Sequence, residues 1–122
     1  MKNETKRSEA YEQTQFFNYV NEKILEDFRY KLIFAVPNGG RRDMIEAVNL
    51  KRQGVRRGVP DVACMIPNTK YYGLFIEFKV GTNKPSEFQI EMMTNLESVG
   101  YLCEVCYSSA DAIDLLENYL NS

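Results

Sequence analysis

A mixed α/β domain with helices packed around a central sheet is predicted by three features of this 122-residue chain. Apolar residues recur at helical spacing in long segments, short apolar runs are bounded by turn residues, and the two kinds of segment are interleaved along the chain. From about Ser8 to Phe28, the residues Phe17, Val20, Ile24 and Phe28 recur at three and four, the stripe of an amphipathic helix. LIFAVP, Leu32 to Pro37, reads as a strand ended by proline and by the turn residues Asn38, Gly39 and Gly40. Residues 43–53 read as a short helix stopped by Gly54. DVACMI from Asp61 and LFIEFKV from Leu74 are two further strands around a Pro-Asn turn, a hairpin in which Tyr71 and Tyr72 read as turn residues, with stacking on a nucleobase the lesser alternative. Ser86 to Val99 is a second strong helix closed by Gly100, with Ser86 and Gln89 at capping-box spacing. YLCEVCY is a last strand, and SADAIDLLENYL a final helix with Ser109 as its expected cap.

The length suits one domain over residues 1–122, able to bury a core without disulfides or a structural metal. Apolar residues make up 44% and charged residues 26%, the balance of a globular protein. No apolar run reaches the length of a membrane span, and the polar start MKNETKRSEAYEQ lacks the apolar stretch of a secretory signal, so no membrane partner and a cytoplasmic location are expected. Cys103 and Cys106 form a CxxC pair, but in a strand such positions face opposite sides, and no second pair or histidine completes a zinc site. Structural thiols are expected.

The chain contains no histidine, which removes every mechanism that needs imidazole as base, acid or metal ligand. Any hydrolysis must then run on carboxylates, lysine and a hard metal that prefers oxygen, such as magnesium. Charge is also segregated. Residues 1–40 hold six of each sign, residues 41–84 hold nine bases against four acids, and residues 85–122 hold seven acids and no base. Arg41, Arg42, Lys51, Arg52, Arg56 and Arg57 form a basic cluster suited to phosphates, although a basic run is equally the mark of a solvated loop.

In LFIEFKV the period of two puts Leu74, Ile76, Phe78 and Val80 on one face and Phe75, Glu77 and Lys79 on the other. Sixteen residues before Glu77, Pro60-Asp61 opens the preceding strand, so a hairpin brings Asp61 beside Glu77. Two carboxylates converging from adjacent strands make a hard-cation site, and Lys79 can position water or stabilise the charge of a pentavalent phosphate. The triplet alone is weak, because 17 acids and eight lysines produce about one acid-x-Lys by chance, and Glu4-Thr5-Lys6 is another. Its place inside an apolar strand, one hairpin after Pro-Asp, is what gives it weight. The plain alternative is a cross-strand charge pair on a half-solvated face.

GVRRGVPDVACMI, followed by LFIEFKV and then KPSEFQ, resembles the VRR-NUC domain family, a branch of the PD-(D/E)xK nucleases. The resemblance runs from the first helix to the last. It implies a restriction-endonuclease-like α/β core and phosphodiester hydrolysis dependent on magnesium or manganese. It implies that Asp61 and Glu77 bind metal together with the backbone carbonyl of Phe78, and that Lys79 is catalytic. The family's acidic residue of the first helix, in a Glu-x-x-x-Gln pattern, is matched by Glu9 and Gln13, with Glu12 as second choice. At about 100° per residue, Glu9 and Gln13 are expected nearer the Phe17–Val20 stripe than Glu12 is.

Gln89 matches the family's glutamine after the catalytic strand, where it would orient water or phosphate, while its spacing from Ser86 equally makes it a helix cap. Arg56 and Arg57 occupy the arginine pair of the family motif and are expected, beside Gly58, to approach phosphate. The chain is similar to standalone members found in bacteriophages and prophages, for which the resemblance implies branched DNA, notably four-way junctions, and for which the host cytoplasm is the expected location. Paired cuts need two active sites, which implies a symmetric homodimer. A flap or restriction-like nuclease, a catalytically silent nucleic-acid-binding module and a protein-interaction domain using the acidic C-terminal third are the alternative readings.

Overall fold

The computed structural model describes residues 8–37 and 44–122. Its elements are α1 (Glu9–Lys23), a 3-10 turn (Phe28–Leu32), β1 (Ile33–Ala35), α2 (Met44–Arg52), β2 (Val62–Cys64), β3 (Gly73–Phe78), α3 (Glu87–Ser98), β4 (Tyr101–Cys106) and α4 (Ser109–Leu120). The strands form one sheet in the order β1-β2-β3-β4, antiparallel for the first two pairs and parallel for β3 with β4. A parallel neighbour cannot be reached by a tight turn, and α3 is the crossover that makes it reachable. The result is the expected mixed sheet flanked by helices. Among the described residues no helix is long and apolar enough to cross a membrane.

The alternation read from LFIEFKV sorts the core into two layers. Leu74, Ile76 and Phe78 pack with Phe16 and Val20 of α1 and with Leu116 and Tyr119 of α4. On the other side Phe75, Ala63 and Cys103 pack with Met93 and Leu96 of α3. Every residue of β3 is buried, so the face that carries Glu77 is covered rather than half-solvated. Cys103 and Cys106 fall in opposite layers as free thiols, and burial pushes both up to about 12. They are core residues, not a metal or redox pair.

Three local expectations are corrected. The first helix ends at Lys23 and not near Phe28, because Asp27 accepts from the Arg29 amide and caps a separate 3-10 turn, leaving Phe28 72% exposed. Its buried stripe is Glu12, Phe16 and Val20, so the expectation that Glu9 and Gln13 lie nearer the stripe than Glu12 is reversed. The last helix is capped by Ser108, whose side chain accepts from the Asp111 amide; Ser109 is its first helical residue.

Candidate active site

The β2–β3 register pairs Val62 with Ile76, and continuing it by one residue sets Asp61 opposite Glu77 at the end of the hairpin. Asp61 Oδ2 accepts from the Phe78 amide at 2.8 Å, which holds its carboxylate against the edge of β3. Glu77 is only 2% exposed. Its Oε2 accepts from Gln89 Nε2 at 2.8 Å and lies 3.6 Å from Lys79 Nζ. Its Oε1 is the one buried side-chain nitrogen or oxygen among the described residues with no hydrogen-bond partner.

These side chains open into a cleft of about 300 Å³ that Glu9, Arg57, Gly58, Ser86 and Phe88 also line. Burial, and next the charge of Asp61, push the Glu77 carboxyl up to about 7, against the pull of Lys79. Burial likewise raises Asp61, with the Phe78 amide acting against it. Glu9 adds a smaller repulsion to both. A buried carboxylate with one oxygen left unpartnered, set beside the partly buried Asp61, is a site short of positive charge, since a buried polar atom without a partner is costly.

That shortage is the fit to a divalent cation. Among the described residues no group of three or more His, Cys, Asp or Glu is placed to hold a metal. The donors to hand are Asp61 and Glu77, with the Phe78 carbonyl between Glu77 and Lys79. Magnesium is commonly held in this way, by one or two carboxylates with water and substrate phosphate filling the remaining positions.

The structure separates the two acidic residues in the first turn of α1. Glu9, in the first turn of α1, lines the cleft. Glu12 is 4% exposed and turns away from it, with Oε1 accepting from the Ser109 amide at 2.7 Å. Gln13 lines a different groove, with Thr14 and Phe17. Gln89 caps α3 and also reaches into the cleft. Its Oε1 accepts from the Ser86 amide while its Nε2 reaches Glu77. Of the arginines, Arg57 lines the cleft, Arg56 is exposed outside it, and Arg41 and Arg42 lie outside the described residues. Gly58 (φ +81°) lines the cleft and fits tightly against α3: a Cβ there would lie 2.4 Å from the Phe88 carbonyl oxygen. Tyr72 stacks over Gly100 and beside Tyr101, a role in the turn.

Phe88 was not singled out by sequence reasoning. The signal was present, since it stands between Ser86 and Gln89 in KPSEFQ, and an apolar residue in the first turn of a helix ordinarily turns to the core; this one is 46% exposed at the cleft.

A family model described as "VRR-NUC domain" matches residues 3–110. The chain belongs to the VRR-NUC family. A solved structure described as "VRR_NUC domain protein" is similar to it, with a TM-score of 0.80 and 25% identity over 96% of this chain and 91% of that one. None of the curated proteins matches. The nuclease-type fold of this VRR-NUC chain is therefore supported by its sheet, its family match and its structural neighbour together.

Proposed function

We propose that this VRR-NUC chain is a magnesium- or manganese-dependent endodeoxyribonuclease selective for branched DNA, four-way junctions foremost. The observation that carries the reading is the unpartnered buried Oε1 of Glu77 beside Asp61. Asp61, Glu77 and the Phe78 carbonyl would hold the ion, with Glu9, which also lines the cleft, completing the acidic set. When bound, the ion would polarise the scissile phosphate and acidify a water. Gln89 fixes the Glu77 carboxylate through Oε2, leaving Oε1 for the ion. Lys79, a cation beside Glu77, orients the attacking water and stabilises the extra negative charge that builds on the phosphate. Arg57 at the rim neutralises the incoming backbone, Arg56 extends that electrostatic footprint, and Arg41 and Arg42 add positive charge for phosphate from the neighbouring sequence.

Among the described residues one chain offers one such cleft, so paired incisions call for a two-fold homodimer whose symmetry matches that of a four-way junction. The deciding experiment is cleavage of matched four-way junction, flap and linear duplex DNAs in magnesium, manganese or chelator, with mass by light scattering. Metal-dependent paired nicks in the junction by a dimer are expected. Faster cutting of flap than of junction would move the reading to a flap nuclease, and no cleavage with any metal would reduce the chain to a binding module. Mixed dimers of parent and Glu77→Ala subunits should make single nicks only.

A further inference from the structure

Phe88 stands one residue before Gln89, whose side chain touches Glu77, so its ring is at the lip of the candidate active site. It belongs to neither core layer and is 46% exposed, although the ring is large enough to fill a core position. The Arg57 guanidinium carbon lies over the ring, 3.9 Å from its centroid. The stack is held from behind. Gly58 brings its loop so close to the first turn of α3 that a Cβ would meet Phe88 O at 2.4 Å and Gln89 N at 2.9 Å, which fixes the neighbouring Arg57 relative to the ring.

We infer that Phe88, backed by Arg57, is a stacking platform for a nucleobase whose face is uncovered at a branch, next to the phosphate being cut. The inference rests on the nuclease reading and names what would make that site choose branched over plain duplex DNA. A π-face is common to every base, so stacking on an aromatic ring is tolerant of sequence. In a duplex the faces are already covered by neighbouring pairs, whereas a base at a branch point, flap or gap can offer one. Among the described residues the rest of the cleft wall is largely polar and offers no second aromatic ring. A guanidinium lying flat on a ring uses its face and leaves its in-plane N–H groups for the adjoining phosphate. Base and phosphate of one nucleotide would thus be gripped beside Glu77.

The chain has no tryptophan, so Phe88→Trp in an Asp61→Asn background installs a single reporter at the lip while the DNA stays intact. In magnesium, flap DNA should quench its emission strongly, matched duplex should not, and flap DNA lacking the base at the branch nucleotide should restore it. Phe88→Leu should bind flap DNA about tenfold more weakly than the parent and duplex about equally, with Phe88→Tyr restoring flap binding and all variants melting alike. Quenching that ignores the missing base, or Phe88→Leu binding flap DNA as the parent does, would overturn the platform while leaving a cutting parent intact. A Phe88→Leu variant that melts early, with Phe88→Tyr recovering its melting point but not flap binding, would make the stack a structural clamp and overturn the platform too. A parent that neither binds nor cuts any DNA would overturn the nuclease reading and the platform with it.

Discussion

Gln89 binds Glu77 with one end of its amide and caps α3 with the other. Nε2 donates to Glu77 Oε2 at 2.8 Å, and Oε1 accepts from the Ser86 amide at 2.8 Å. The start of a helix and the orientation of a buried carboxylate are thereby set by one side chain. Ser86→Ala removes only the reciprocal bond, in which the Gln89 backbone amide donates to Ser86 Oγ, and should cost about 1 kcal/mol of stability with cleavage retained. Gln89→Ala should cost a similar stability and, in addition, about 10–100-fold in cleavage rate, the usual size for loss of a residue that orients a metal ligand. Urea unfolding beside initial cleavage rates separates the two.

The buried carboxylate makes stability depend on pH. Glu77 is raised from its ordinary 4.5 to about 7, so its contribution is fully present below about 4.5 and is lost as pH rises through 7; Asp61 is shifted in the same direction. In chelator, the protein should lose roughly 1–3 kcal/mol between pH 5 and pH 8. Glu77→Gln should flatten that slope, and magnesium at pH 8 should restore part of the loss to the parent alone. Thermal melts across this range test it; a parent with the same slope as Glu77→Gln would remove Glu77 as the cause.

Lys79 and Asp61 should differ in what they take away. Lys79 is 3.6 Å from Glu77 Oε2, a cation where an ion pair and not a ligand is needed. Lys79→Ala should abolish cleavage while keeping metal affinity within a few-fold at pH 8, where Glu77 is ionised. Asp61→Ala and Glu77→Ala should abolish both. Calorimetric titration with magnesium or manganese reads the distinction.

The arginine pair should divide as well. Arg57 lines the cleft and Arg56 does not, so Arg57→Ala should reduce cleavage more, while either substitution should lower the salt slope of DNA binding by about one. Binding isotherms at several salt concentrations supply the slopes.

Much of the site was legible because a strand has a period of two: Glu77 and Lys79 had to share a face, and a hairpin had to set Asp61 near them. Gln89 was legible as two alternatives, since spacing alone cannot show that an amide uses both ends. The first helix was misread where local pattern and tertiary structure part. Phe16 and Phe17 are adjacent, and choosing Phe17 for the stripe rotates it away from Glu12, whose buried carboxylate breaks the apolar pattern because its partner is 97 residues away. Ile24 and Phe28 continue helical spacing past the point where Asp27 starts another turn. Phe88 escaped because spacing along the chain cannot show that Gly58 and Arg57, from a distant loop, meet its backbone and its ring.

Glu9 and Glu12, one helical turn apart, should therefore fail in opposite ways. Glu12 accepts from the Ser109 amide at the start of α4, where a carboxylate also suits the positive end of the helix. Glu12→Ala strands that amide and should cost about 1–3 kcal/mol, because a buried donor without a partner loses its full desolvation energy. Any fall in activity should then follow the fraction unfolded and vanish at low temperature, where the variant is folded. Glu9 lines the cleft and its proposed work is there, so Glu9→Ala should change stability by less than about 0.5 kcal/mol. It should slow cleavage at every temperature and raise the magnesium concentration needed for half-maximal rate. Melting curves and magnesium titrations of both variants provide the comparison. A Glu12→Ala protein that is fully folded yet has lost its magnesium response would return Glu12 to the metal site and displace Glu9.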